Sequence, residues 1–374
     1  MVKSTLEGSR AAAQAVRNCS PDVVACYPIT PSTHIAEDLD KMYANGEIKK
    51  FIAVEAEFSA ISALIGASAT GGRAFSTTSS QGLALMHEAL HAAAGMRFPM
   101  VMVVANRSLS APLSIWNDHQ DSISQRDTGW IQLYCESNQE VADSVPQAFK
   151  ISEETYLPAM VCMDGFYLTH AVEQIDVPSK ELIEKFLPHF KPEYKLDPEN
   201  PVSMGAYAMP ADYQSFREDL AKDVKESAEV IERVGKEWSE LTGREYGLLD
   251  AYKVEDAERV FVGMGSVMGN AKEAVDLMRE KGEKVGALRI RSYRPFPHEK
   301  VKKLLEGKKV AVFEKDVSFG GAPPVQSEVA YALFHEECVL STFTGGLGGR
   351  DVTVEHVKQM LEKIKDGKVH GEWV

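Results

Sequence analysis

Short apolar runs recur along the first half of the chain, each followed by a stretch of helix length rich in small residues. That alternation predicts strands feeding helices. Val23–Tyr27 reads as a short buried strand stopped by Pro28, with Ser32 or Thr33 placed to cap the helix behind it. Phe51–Val54 reads as a second strand. Glu57–Thr70 reads as a helix dense in Ala, Ser and Gly, able to pack close to a sheet or another helix and ended by Gly71-Gly72. Arg73–Thr78 is a third strand, Ser79–Gly82 a turn and Leu83–Ala94 a helix. Met100–Ala105 is a strongly apolar strand, and Met160–Met163 another, behind a helix near Ser144–Thr155. The stretch Val177–Met209, rich in Pro, Lys and Glu without periodicity, reads as a surface excursion, and Ala211–Leu241 as a charged helix. A second series begins near Arg259, with a helix at Asn270–Lys281 and strands at Val285–Ile290 and Val310–Glu314.

The class this predicts is α/β, a parallel sheet with helices on both faces. In such sheets ligands gather at the carboxyl ends of strands. The polar loops Tyr27–Thr33, Ser79–Gly82 and Asn106–Gln125 each follow a strand directly. A length of 374 residues suits two domains. The net charge of −14 disfavours nonspecific nucleic-acid binding, because phosphates are repelled. No stretch approaches the about 20 apolar residues that span a bilayer, and the N-terminus has no signal-peptide run, so a cytoplasmic chain away from membranes is expected. Cys19, Cys26, Cys135, Cys162 and Cys338 form no C-x-x-C pair, which points to reduced, buried thiols rather than disulfides or a cysteine-ligated cluster.

Several residues carry candidate chemistry. Pro28 and Pro31 bracket Thr30 at a strand end and would hold its hydroxyl in one place, although a plain strand-to-helix turn explains them equally well. Glu55 and Glu57 follow the Phe51–Val54 strand; either a helix-dipole role or a carboxylate facing a dry cleft fits the position, and composition does not choose. Arg107, directly after a strand, can clamp a small carboxylate through paired hydrogen bonds, with Arg126 a rival; the alternative is a loop stitched by ion pairs. Asp118, His119 and Asp121 lie too close in sequence to converge on one metal ion, and no metal site is expected. Gly263–Ser266 and the run Gly345–Arg350 read as tight turns rather than nucleotide loops. His87 and His91, four apart on a helix, read as packing or surface residues.

Taken together, YPITPSTHIAE from Tyr27, FIAVEAEFSAISALIGASATGGRAF from Phe51, TTSSQGLALMHE from Thr77, the long run from Asn106 to Tyr134, MDGFYLTH from Met163, RSYRPFP from Arg291 and GGLGGRDVT from Gly345 are distinctive. They resemble the alpha subunit of multi-subunit pyruvate:ferredoxin oxidoreductases, within the 2-oxoacid:ferredoxin oxidoreductase family. The resemblance implies the pyrimidine-side domain of a thiamine-diphosphate-binding fold, a doubly wound sheet with a helical connector over residues 1–245. A transketolase C-terminal-like α/β domain over 246–374 would follow. It implies oxidative decarboxylation of pyruvate with coenzyme A to acetyl-CoA, CO2 and reduced ferredoxin, with thiamine diphosphate shared with the beta subunit. Mg2+ and [4Fe-4S] clusters are expected in the partner beta, gamma and delta subunits. The absence of a G-D-G motif and of cysteine pairs agrees with that division. By position, Glu57 resembles the glutamate that bonds the aminopyrimidine, Thr30 and Arg107 resemble the substrate-binding threonine and arginine, and Gln81 and Asn106 are further cofactor-binding candidates. Family members acting on 2-oxoisovalerate or another 2-oxoacid, the beta chain of a 2-oxoacid dehydrogenase, and a non-catalytic assembly subunit are the alternatives.

Overall fold

The computed structural model describes residues 3–334, 336 and 338–374. The apolar runs of the first half do form strands, and they join a seven-stranded sheet. Its spatial order is Ser292–Arg294, Ile131–Tyr134, Ala159–Asp164, Val101–Asn106, Ala74–Thr78, Val23–Cys26 and Phe51–Ala53. Every neighbouring pair is parallel except the first, where Ser292–Arg294 runs antiparallel to Ile131–Tyr134. The central strands are buried along their whole length, as continuous Val, Met and Ala runs require when helices cover both faces. Phe51–Ala53 is the half-buried edge. Ser4–Glu7 and Val172–Ile175 form a separate antiparallel pair.

A second, six-stranded sheet follows the order Glu372–Trp373, Val339–Thr344, Lys309–Glu314, Arg259–Gly263, Val285–Ile290 and Leu249–Tyr252, with only the last strand antiparallel. Along the chain the two series of strands are linked by the helix Pro210–Thr242, which packs on the helices of the first. Proline opens it, and Gly243 at φ +72 ends it in the left-handed region. Its buried stripe of Leu220, Ser227, Ile231, Val234, Gly235 and Trp238 follows helical spacing. The chain doubles back over this helix so closely that a Cβ on Gly235 would sit 1.9 Å from the carbonyl oxygen of Tyr246.

Several local expectations need correction. The helix expected at Leu83–Ala94 is two helices, Ser80–Leu85 and His87–Gly95, with Met86 between them, and the Ser79–Gly82 turn is the first turn of the former. The Ser32 hydroxyl donates back to Ile29 O at 2.8 Å instead of capping the helix Thr33–Ala44. The excursion Val177–Met209 contains a short helix, Lys180–Phe186. The helix placed near Ser144 starts at Asn138, because Ser137 accepts from the Glu140 amide at 3.2 Å and caps it there.

Glu140 also ties the two sheets together. Its carboxylate is buried; Oε1 accepts from Arg291 Nε at 2.9 Å and Oε2 from Arg289 Nη1 at 2.7 Å. Arg291 adds a bond to Ser144 Oγ at 3.0 Å. Burial alone would push the Glu140 carboxyl up, but the two guanidinium groups outweigh it and hold it below the usual range. A carboxyl lowered on folding stabilises the native state above its unfolded pKa, and that contribution is lost as pH falls through the carboxylate range. Glu140→Ala leaves buried Arg291 without its anion and Arg289 with only the more exposed Glu136 and Asp250. It is expected to cost about 3–5 kcal/mol, read as a urea midpoint shift at unchanged slope. A shift worth less than about 0.5 kcal/mol, the level of an ordinary surface change, would show that the clamp carries no stability.

Candidate functional site

Phe51–Ala53, Val23–Cys26, Ala74–Thr78 and Val101–Asn106 are adjacent, parallel strands, so their carboxyl ends open on one edge of the sheet. The segments leaving those ends carry Glu57, Thr30, Gln81 and the pair Asn106-Arg107 respectively. All five residues singled out from the sequence therefore lie along one edge.

Glu57 begins the helix Glu57–Ala69 and is 6% exposed. Its carboxylate packs against Gly82, where an added Cβ would lie 2.5 Å from Glu57 Oε1 and 2.6 Å from Thr78 Oγ1. The nearby Glu55 is exposed. It accepts from Ser59 Oγ at 2.5 Å, and that bond holds its carboxyl below the usual range. Glu55 thus turns onto its own helix, and only Glu57 is enclosed.

Arg107 is 7% exposed, and its backbone and side chain are both spoken for. Nε donates to Ser114 O at 3.0 Å and Nη1 to Thr30 O at 2.9 Å. Burial lowers its pKa, against the opposing pull of the Asp121 carboxylate. Arg107 and Thr30 therefore do meet, but through the Thr30 carbonyl, while Thr30 itself is exposed beside its cis peptide to Pro31. Arg126 stands apart, donating to Ile123 O at 3.3 Å and lying 3.8 Å from Asp127.

The unpaired atoms are the most telling feature. Thr77 Oγ1, Thr78 Oγ1, Ser79 Oγ, Gln81 Nε2 and Asn106 Oδ1 are all buried and find no partner among the described residues. Each such group costs roughly 1–3 kcal/mol unless something satisfies it. Their concentration on the ends of two neighbouring strands is what a site for a polar ligand looks like.

Asp121, weighed in the sequence only as a metal ligand and set aside, has a different place in the structure. It is fully buried, and Oδ2 accepts from the amides of Ser80 and Arg107, both at 2.9 Å. Oδ1 accepts from Asn106 Nδ2 at 2.8 Å and from the Ser122 amide at 2.7 Å. Its neighbours in the polar run point elsewhere, as their spacing implied. Asp118 accepts from the Gly348 amide at 3.2 Å, and His119 Nε2 meets Asp164 Oδ1 at 2.8 Å.

Asp164, at the end of the strand beside Val101–Asn106, joins the two sheets again. It accepts from Lys315 Nζ at 3.0 Å and from Ser266 Oγ at 2.5 Å. Burial raises its carboxyl, yet the Lys315 ammonium and the His119 ring together hold it far below the ordinary range. The Gly263–Ser266 turn thus serves this contact. The Gly345–Arg350 run docks on the loop after Arg107 through the Gly349 amide, 2.7 Å from Asn117 O. His87 is exposed and its Nδ1 lies 2.6 Å from Gln125 Oε1. The thiols of Cys19, Cys26, Cys135 and Cys162 are buried, and burial pushes Cys26 up to about 12.

Two family models match the chain. The thiamine-diphosphate-binding domain of pyruvate flavodoxin/ferredoxin oxidoreductases matches residues 14–236, and core domain II of pyruvate:ferredoxin oxidoreductases matches residues 257–357. The pyruvate synthase subunit PorA of Methanothermobacter thermautotrophicus is 46% identical, covering 100% of this chain and 98% of its own. The ketoisovalerate oxidoreductase subunit VorA of Pyrococcus abyssi is 48% identical, covering 97% and 94%. Among solved structures, a 2-oxoglutarate:ferredoxin oxidoreductase from Magnetococcus marinus superposes with a TM-score of 0.73 at 20% identity, over 97% of this chain and 65% of that one. A split-gene transketolase superposes at 0.58 with 13% identity, over 98% and 100%. Both likenesses concern the fold, and they agree with the α/β, thiamine-enzyme-like architecture expected from the sequence.

The contact between Glu57 and Gly82 makes a specific demand. Gly82→Ala is expected to push the Glu57 carboxylate off its seat and to cost about 1–3 kcal/mol by overpacking. The loss is read as a lowered midpoint in urea, and an unchanged midpoint would show that the carboxylate has room to retreat.

Proposed function

The chain belongs to the pyruvate flavodoxin/ferredoxin oxidoreductase family, and on that premise we propose that it is the alpha subunit of a cytosolic pyruvate:ferredoxin oxidoreductase. The reaction converts pyruvate and coenzyme A to acetyl-CoA and CO2 and passes two electrons to ferredoxin, reversibly. The observation that carries this reading is the enclosed Glu57 close to a row of buried, unpartnered polar atoms at the ends of two neighbouring strands.

Those residues fit thiamine diphosphate. When bound, the cofactor supplies the nucleophilic carbon and the electron sink that decarboxylation of a 2-oxoacid needs. Glu57 is the residue to share a proton with its pyrimidine ring, since it is the enclosed carboxylate of the pair. Gln81 Nε2 offers a donor and Asn106 Oδ1 an acceptor to its polar edge. Arg107, with the Thr30 loop fastened to it, is the residue to hold the oxoacid carboxylate. The diphosphate with its Mg2+, and the [4Fe-4S] clusters, are assigned to the beta, gamma and delta subunits.

A second reading keeps the chemistry and changes the oxoacid. The ketoisovalerate oxidoreductase relative is as similar as the pyruvate synthase ones, so 2-oxoisovalerate is the specific rival. The purified complex, assayed with both acids under saturating coenzyme A, decides between them. A pocket that discriminates by a methylene or two separates substrates by about 10–200-fold in kcat/KM. A preference for pyruvate in that range is expected; the reverse preference moves the assignment to the branched acid.

Glu57→Gln keeps the shape but removes the carboxylate. The variant complex is expected to assemble and bind thiamine diphosphate, while oxoacid-dependent ferredoxin reduction falls by about 10²–10⁴-fold. Glu55→Gln is the control and is expected to keep its activity, because Glu55 is exposed and engaged with Ser59. Full activity in Glu57→Gln would instead favour a subunit that only supports assembly.

A further inference from the structure

We propose that Asp121 is a positioning residue for this reaction, a clasp that sets the cofactor-side loop at Ser80 and the substrate-side loop at Arg107 in one fixed register. This rests on the functional reading above.

The geometry points that way because of what Asp121 holds. One carboxylate oxygen, Oδ2, takes the backbone amides of both Ser80 and Arg107 at 2.9 Å. The other takes Asn106 Nδ2 at 2.8 Å and its neighbour's amide at 2.7 Å. Ser80 closes the link from its own side, donating Oγ to Ser108 O at 2.5 Å. To present its amide, Ser80 sits at φ 50, a left-handed conformation that an ordinary side chain adopts only when its surroundings impose it. Asp121 holds the two loops by their backbone amides, so it takes up no polar atom of the Arg107 or Gln81 side chains. The Arg107 guanidinium turns to Thr30 O and Ser114 O, and Gln81, one residue past Ser80, keeps one end of its side-chain amide unpaired.

An asparagine cannot do the same work. Its one oxygen replaces two acceptors, and its NH2 group would face N–H donors. Protonation of the aspartate has a similar effect, and burial raises its pKa to about 6. The charged groups that face it are Asp118 and Arg107; Tyr134 and Cys162 also border it, with burial pushing both far above their usual values.

The test uses the whole complex, with Asp121→Asn and Arg107→Ala made in parallel. Thiamine diphosphate binding to the cofactor-stripped complex is measured by calorimetry, and KM is measured separately for the oxoacid and for coenzyme A. Asp121→Asn is expected to raise both the cofactor Kd and the oxoacid KM about tenfold or more, consistent with two amides losing their acceptor, and to leave the coenzyme A KM unchanged. In the wild-type complex the oxoacid KM is expected to rise as pH falls through about 6, and in Asp121→Asn that rise is lost. Should the variant fail to assemble, the wild-type profile decides: an oxoacid KM flat across that range overturns the clasp. Wild-type constants in Asp121→Asn, or an equal increase for coenzyme A, overturn it too. If Arg107→Ala raises the oxoacid KM while Asp121→Asn does not, only the clasp fails. If Arg107→Ala leaves it unchanged, the reading of the site itself fails and the inference with it.

Discussion

A charge taken out of water must find its counter-charge, and Glu140 finds two, one on a strand of the other sheet and one just past its end. That single requirement fixes the arrangement of the molecule. Arg289 lies on the strand Val285–Ile290 of the second sheet, and Arg291 lies just beyond it, where the chain crosses over. With both guanidiniums on the Glu140 carboxylate, and Arg289 also beside Glu136 and Asp250, the following residues are in position to pair as Ser292–Arg294 against Ile131–Tyr134. A buried ion group of this kind adds less net stability than its contacts suggest, because desolvation offsets them. Its stronger effect is selective, since any other docking of the two sheets would strand three buried charges.

The candidate site inherits its rigidity from that docking. With the sheets locked, Lys315 reaches Asp164, and His119 completes the contact from the polar loop. The Gly348-Gly349 turn then meets the same loop at Asp118 and Asn117. Asp121 fastens the base of the loop to the strand ends from below. The segment that carries Arg107 is thus held from both sheets, although nothing in its own composition would make it stiff.

The sequence showed the strands wherever apolar runs were continuous. It hid Ile131–Tyr134, because Gln132 interrupts the run; the structure buries that amide, with Nε2 2.8 Å from Ser122 O. It hid Ser292–Arg294, whose polar residues pair only because distant charges bring them there. The helix Pro210–Thr242 was legible, since proline and glycine mark its ends and its period is long. At the site, position relative to strand ends drew out Thr30 and Arg107, while Glu57, Gln81 and Asn106 came from the resemblance to the family. Asp121 was not legible, because its partners include backbone amides 41 and 14 residues away, and an amide leaves no trace in side-chain pattern. Pattern alone likewise left Glu55 and Glu57 undecided, since burial, which differs between them, is not announced by two acidic residues two positions apart; the resemblance named Glu57.

The distribution of polarity around the edge inverts the usual one, and that inversion bears on how the site works. Beneath the surface lie unpaired hydroxyls and amides. On the surface above them, the loop tip exposes Leu113, Ile115 and Trp116, and the neighbouring elements expose Tyr27 and Phe58. A chain that functioned alone would gain by exchanging the two, since water would satisfy the first set and the core would shelter the second. Both costs fall when a polar molecule meets the buried groups and an apolar surface covers the exposed side chains. The proposed sharing of the site with a second subunit would meet both conditions at once, with the fixed loop base beneath a solvent-facing apolar tip.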